Sequence, residues 1–408
     1  MTAREGRATR AIMAAMLVAG LLFGLGSLGR GQGQGQEPAE VRFGGPLPGI
    51  TAQEFERFRV GLEDFLEVEE VEEGLGPIFN GRSCGECHNI PAVGGSGTIL
   101  EFRAGRRDAD GSFDPLPGGS LFQLFSIPPH NCQERIPAGA NVVAPRKSIP
   151  LFGAGLVDAI PDQALAALAD PEDRDGDGVS GRVHWVVDAA TGSTRAGRFG
   201  WKAQQATLLT FCAEAYLEEM GITNELFPQE NAPNGDGELL LSCLPIRRVR
   251  RIEDIPDPLT GLRGIDNFEA FLRFLAPPPR GEITDAARRG EQVFGAIGCA
   301  ACHVPALVTG ASANPVFDHR TVPLYSDLLL HDIGTDDGIP QGDARGEEIR
   351  TPALWGLRVR RGLLHDGSAA TPVEAILRHG READESRRRY TELPAVDAGA
   401  LLGFLDSL

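Results

Sequence analysis

The chain has 408 residues, 42% of them hydrophobic, and a formal net charge of −18. The acidic balance argues against nucleic acid as a partner, and the apolar content excludes a disordered chain. The length suffices for two or three domains, and 52 Gly with 29 Pro predict a mostly α fold with long structured loops.

The N-terminus reads as an export signal. Arg4, Arg7 and Arg10 precede an uncharged stretch from Ala11 to Gly29, and Ser27-Leu28-Gly29 is a small-x-small cleavage site. Residues 1–29 are therefore expected to be a signal peptide. An uncleaved membrane anchor is the alternative, because the stretch is close to the bilayer-spanning minimum. Either way the protein is expected in the periplasm or otherwise outside the cytoplasm. Residues 30–49 read as a linker, rich in Gly and Gln at its start.

Residues 50–275 read as a first domain. Thr51 is placed to cap a helix whose Phe55, Phe58, Leu62, Phe65 and Leu66 share one face, with Gly61 inside it. The helix leads to Cys84-Gly85-Glu86-Cys87-His88. Cys-x-x-Cys-His is the pattern for covalent c-type haem attachment. The two cysteines bond the haem vinyl groups, and the histidine becomes an iron ligand. A zinc or redox Cys-x-x-Cys is the alternative, but no second cysteine pair is there to complete a zinc site.

A long extension follows the first motif. Within it, Asp173-Arg174-Asp175-Gly176-Asp177-Gly178 begins like a calcium loop. The twelfth position is His184 rather than Glu, so a true EF-hand is not expected. A looser calcium site on Asp173, Asp175 and Asp177 and a plain Asp/Gly turn both fit.

Ala276-Pro277-Pro278-Pro279-Arg280-Gly281 is the best domain boundary, which leaves 282–408 as a second domain. Its first predicted helix, Ala286 to Phe294, carries Gly290 and Phe294 one turn apart and leads into a second motif, Cys299-Ala300-Ala301-Cys302-His303. The chain is thus expected to hold two haem c groups in two cytochrome c-like domains. Near its end, Thr371-Pro372-Val373-Glu374 is a helix start, and His379-Gly380 is the stop. A histidine at the end of so firmly started a helix is well placed to ligate iron; completing the helix C-terminus is the alternative. His130 and His184 are candidate second ligands of the first haem, whereas His319 sits in a polar loop and is expected to be exposed. Cys132, Cys212 and Cys243 remain for one disulfide and one thiol, and the sequence does not choose the pair.

Longer stretches carry a family likeness. Gly74-Leu75-Gly76-Pro77-Ile78-Phe79-Asn80, His88-Asn89-Ile90-Pro91-Ala92-Val93-Gly94-Gly95, Leu151-Phe152-Gly153-Ala154-Gly155-Leu156 and Arg198-Phe199-Gly200-Trp201-Lys202 resemble the di-haem oxidoreductase, putative peroxidase family. So do the stretch from Tyr325 to Asp332 and His365-Asp366-Gly367. That family is similar to bacterial di-haem cytochrome c peroxidases and to MauG-type enzymes.

The resemblance implies a division of labour. Hydrogen peroxide would react at the N-terminal haem, with His88 proximal. Electrons from a small protein, a cytochrome c or a cupredoxin, would arrive at the C-terminal haem, with His303 proximal. In those peroxidases the residue fourteen places after the His of His-Asp-Gly is the distal ligand of the electron-receiving haem, usually Met. Here that position is His379, and His in place of Met would lower that haem's potential. A tryptophan between the haems would correspond to Trp201, and a distal acid to Glu219, with Glu218 adjacent as a competitor. The distal glutamine would fall near Phe211, an apolar departure. His331 and His365 would contact haem propionates, bridge the domains or serve structural hydrogen bonds. Family peroxidases are often homodimers. The alternatives to a peroxidase are a MauG-like oxidase of an organic or protein substrate and a non-enzymatic electron-transfer cytochrome.

Overall fold

The structure, a computed structural model, describes residues 41–128, 132–244, 254–258 and 260–408. The expected signal peptide, residues 30–40 of the linker and His130 lie outside the described residues.

Two helix pairs carry the fold. The first helix, α1 (Ala52–Leu66), starts as its sequence dictates. The Thr51 hydroxyl accepts from Glu54 N, and the Glu54 carboxylate accepts from Thr51 N, a reciprocal capping box. Phe58 and Phe65 are buried, whereas Phe55 and Leu66, expected on the same face, are about half exposed. The buried stripe packs on α3 (Gly264–Phe274), where Phe65 meets Phe268 and Phe271 at ring-centroid distances of 5.2 and 4.8 Å. Between them in sequence comes α2 (Leu208–Met220), capped by Thr207 and closed by left-handed Gly221.

The second pair repeats this arrangement. Here α4 (Asp285–Ala296) packs on α6 (Ala395–Leu405), with Phe294 against Phe404 at 5.2 Å. Short α5 (Pro372–Arg378) precedes α6. Thr371 caps α5 as expected, but the Glu374 carboxylate turns back to Ala370 N rather than completing the box at Thr371.

The same device brings each pair together. Gly61 on α1 lies so close to α3 that a Cβ there would sit 2.0 Å from the Asn267 carbonyl oxygen. Gly290 on α4 faces α6 equally closely, 2.0 Å from the Ala400 carbonyl oxygen. In each helix the next aromatic residue on that face, Phe65 or Phe294, lies one turn later and points toward the attachment motif. The two apolar cores differ in extent. The second is small, built on Phe294, Tyr325, Leu401 and Phe404. The first also takes in Leu307, Phe317, Leu324 and Trp355, from beyond the Pro277–Pro279 boundary.

Strand is confined to short pieces, of which β1 (Leu100–Arg107) is the longest. It pairs antiparallel with β2 (Val142–Lys147), with Glu101 opposite Arg146. Cys132 is bonded to Cys243, which leaves Cys212 as a buried thiol.

Gly290→Ala should therefore destabilise the fold by about 1–3 kcal/mol, because a backbone carbonyl cannot step aside. Thermal unfolding measures it, and Gly295→Ala, with open space around its Cβ, should be neutral or stabilising.

Candidate functional site

Each Cys-x-x-Cys-His segment borders a large cavity. One, of ≈ 1550 Å³ and part open to solvent, is lined by Cys299, Cys302, His303 and His379. The other, of ≈ 1170 Å³, is lined by Cys84, Cys87, His88 and Glu219. None of the four motif cysteines is in a disulfide, and burial pushes the Cys87 and Cys299 thiols up to about 12.

Three histidines are held in one way. His88 Nδ1 donates to Gly95 O at 2.8 Å, His303 Nδ1 to Tyr325 O at 3.0 Å and His379 Nδ1 to Ala375 O at 2.6 Å. Each bond fixes the tautomer and leaves Nε2 free at the cavity. Burial holds the His88 and His303 rings down to about 4, so both are neutral donors at physiological pH. Burial also lowers His379, which as C-cap of α5 lines the same cavity as His303. Among the described residues, His88 is the only histidine lining its own cavity. The residues present therefore fit a haem in each cavity, with His303 and His379 both bonded through Nδ1 at one and His88 alone at the other.

The wall of the His88 cavity is acidic. One face of α2 presents Phe211, Glu214, Glu218 and Glu219 to it. Glu219 accepts from Asn80 Nδ2 at 2.9 Å, and Asn80 Oδ1 in turn accepts from Leu124 N. Burial foremost, with Glu101 adding to it, raises Glu219 to about 8; burial and Glu218 raise Glu214 to about 7. Glu219 is held by Asn80, and its neighbours on the same wall are held too, Glu214 by Gln205 and Glu218 by Asn231. Neither Asn80 nor Glu214 stands out in the sequence by itself, although Asn80 lies inside the Gly74–Asn80 stretch.

Lys147, Ser148 and Trp201 line both cavities. Trp201 Nε1 donates to Lys147 O at 2.8 Å, Lys147 N donates to His365 O at 2.7 Å, and the Trp201 and His365 rings meet edge-on. His365 lines the His303 cavity with Nδ1 buried and unbonded. His331 lines the same cavity, bonded to Asp327 and Glu382 at 2.8 Å each, with Cys302 Sγ 3.6 Å from its Nδ1. Burial disfavours its charge, but Asp327 and Glu382 outweigh that and raise it well above its usual range.

His184, His319 and the three aspartates lie away from both cavities. His184 does not reach the first cavity: it is buried with Nδ1 donating to Lys202 O at 2.8 Å and Nε2 accepting from Asp343 N at 3.2 Å, so both nitrogens are occupied. His319 is exposed. Asp173, Asp175 and Asp177 do converge, with ligand atoms within 4.8 Å of one another at the surface, and their carboxylates accept from nearby backbone N–H groups.

Residues 130–408 match the family described as "Di-haem oxidoreductase, putative peroxidase". The chain belongs to this family. Its fold is accordingly of the di-haem peroxidase kind, and the protein is an oxidoreductase that works with haem. Solved structures similar to it are distant. Hydrazine synthase of Kuenenia stuttgartiensis is 16% identical, covering 94% of this chain and 100% of that one, with a TM-score of 0.40. A MauG-like protein associated with microbial copper homeostasis is 17% identical over 69% of this chain and 94% of its own, at 0.30. The diheme peroxidase BthA from Burkholderia thailandensis is 14% identical over 91% and 92%, at 0.32. No curated protein matches the chain.

The part-buried Glu219 gives a prediction that does not depend on activity. Its folded-state value near 8 lies above the ordinary 4.5, so the folded protein keeps a proton that the unfolded chain releases. Stability from this group is complete below pH 4.5 and is lost as pH rises toward about 8. Glu219→Gln should therefore gain on the parent across that window, by more than about 1 kcal/mol, the equivalent of one pKa unit. Urea unfolding at several pH values measures the gain.

Proposed function

We propose that the protein is an exported di-haem peroxidase that reduces hydrogen peroxide to water at the His88 cavity. The observation that carries this reading is the inequality of the two cavities: His379, its Nδ1 bonded to Ala375 O, lines the cavity of His303, whereas the cavity of His88 has an acid-lined wall and, among the described residues, no other histidine. Haem bound at each motif would supply the redox-active iron, anchored by Cys84 and Cys87 or Cys299 and Cys302. In this reading each half of the chain, 50–275 and 282–408, is a cytochrome c-like module. His379 closes the second cavity, so that site carries electrons rather than binding substrate.

The chain's own residues then have distinct tasks. Asn80 holds the Glu219 carboxyl in one orientation. Glu219 takes a proton from the near peroxide oxygen and returns it to the far one, so that the leaving oxygen departs as water. Each turnover consumes one peroxide, two electrons and two protons and yields two waters. Trp201, which borders both cavities, is the bridge between them. The electrons come from a small cytochrome c or cupredoxin, and the net charge of −18 suits a basic donor.

Phe211 favours a second reading. An apolar ring on the same wall as Glu219 leaves room for an organic or protein substrate, which the enzyme would oxidise in the manner of MauG-type proteins. Sustained peroxide turnover with a reduced small cytochrome separates the two.

Stopped-flow mixing of the reduced protein with peroxide tests the proposal. The rate of haem reoxidation should rise with pH through about 8, as Glu219 becomes the base, and Glu219→Gln should slow it by about 10²–10⁴-fold. Equal rates in the parent and the variant would sink the mechanism.

The closing role of His379 has its own check. His379→Ala should convert the His303 site from six-coordinate to five-coordinate, visible as a new high-spin band, with the His88 site unchanged.

A further inference from the structure

One wall of the His88 cavity carries a fixed cation with an unused donor. Glu101, Arg103 and Arg146 share a face of the β1–β2 ribbon: Glu101 and Arg103 are two apart on one strand, and Arg146 is the cross-strand partner of Glu101. All three line the cavity that holds Cys84, Cys87 and His88. Arg103 bonds Glu101 through Nε and Ser120 Oγ through Nη1.

Arg146 is different. It is only 2% exposed, and its guanidinium is clamped from behind. Nε donates to Asp337 Oδ2 at 2.6 Å, and Nη1 donates to Gln341. Asp337 is shared with Lys202, whose Nζ lies 3.1 Å from its other oxygen. Lys202 is itself tied to the carbonyls of Arg345, Gly346 and Glu348. One carboxylate thus faces two buried cations, with Glu101 and Glu348 as the further acids that act on them. Nη2 of Arg146 is buried with no hydrogen-bond partner in the protein. An unsatisfied buried guanidinium N–H is costly, and guanidinium binds carboxylates in preference to other groups of that size.

We propose that Arg146 is the carboxylate clamp of the first haem: Nη2 receives a propionate of the haem seated on Cys84, Cys87 and His88. The inference rests on the haem reading of that cavity. It makes Asp337 and Gln341 positioning residues. Both lie beyond the second attachment motif, so the charge balance of the first cofactor is set by a loop from the other half of the chain. It also assigns an electrostatic task. A propionate paired with Arg146 stays ionised but neutralised, so its negative charge does not disfavour the reduced iron.

The test is spectroelectrochemistry of the loaded protein as parent, Arg146→Gln and Arg146→Lys. Haem content is measured first, so that a chain without two haems, which would end the haem reading, is told apart from failure of the clamp. With Arg146→Gln the midpoint potential of the His88 haem should fall and become pH-dependent, dropping as the propionate loses its proton. The potential of the His303 haem should not move. Arg146→Lys, which keeps a cation beside Asp337, should lie between the two. A free anion at this site would instead make the parent's potential follow added acetate or phosphate, and that dependence would overturn the propionate assignment. So would a His88-haem potential and pH dependence in Arg146→Gln equal to those of the parent.

Discussion

Three backbone carbonyls set what this protein can hold. Gly95, Tyr325 and Ala375 each take the Nδ1 proton of a histidine and turn its Nε2 toward a cavity. An imidazole free to rotate would satisfy itself on the nearest polar group and would lose χ entropy on meeting a metal. One held at Nδ1 has already lost it. Burial adds the second condition, because His88 and His303 are kept neutral and available as donors. The helix pairs serve these bonds. Gly61 and Gly290 let two helices touch at backbone distance, which fixes where Phe65 and Phe294 lie against His88 and His303.

From the same parts the chain builds two unlike sites. The His303 cavity has His379 at the end of a short helix, besides His331 and His365, and its wall includes Arg350 and Arg360, whose charges burial disfavours enough to bring both down to about 10. The His88 cavity has glutamates from α2 in place of a second histidine. Net charge at a haem shifts its potential as surely as its ligands do. A cationic wall raises the potential of the proposed bis-histidine site, which offsets the lowering that His in place of Met brings. The acid-lined site, in turn, has proton donors where the proposed chemistry needs them. Lys147 and Trp201 stand between the two and link them by hydrogen bonds through a single strand end.

Much of this was legible in the sequence, for local reasons. The attachment motifs, the Thr51 and Thr371 caps and the position of His379 at a helix stop all depend on residues within a few places of one another. The chemistry of the walls was not legible. Asn80 reaches Glu219 across 139 residues, and Arg146 reaches Asp337 across 191, so no window along the chain shows either pair. His184 misled for the same reason. As an unassigned histidine it was available in sequence, but the fold spends both its nitrogens on Lys202 and Asp343. The alternating Glu101 and Arg103 on a strand were a readable hint of one shared polar face, but the identity of that face needed the register with Arg146.

The central claim is that the two cavities, alike in their attachment motifs, differ in how many imidazole nitrogens they offer to iron. Electron paramagnetic resonance of the oxidised and half-reduced protein tests it most directly. The account predicts one low-spin signal from a bis-histidine site, abolished by His379→Ala, together with one high-spin, five-coordinate site at His88. Low-spin signals alone in both states would contradict it and would leave the protein as an electron carrier.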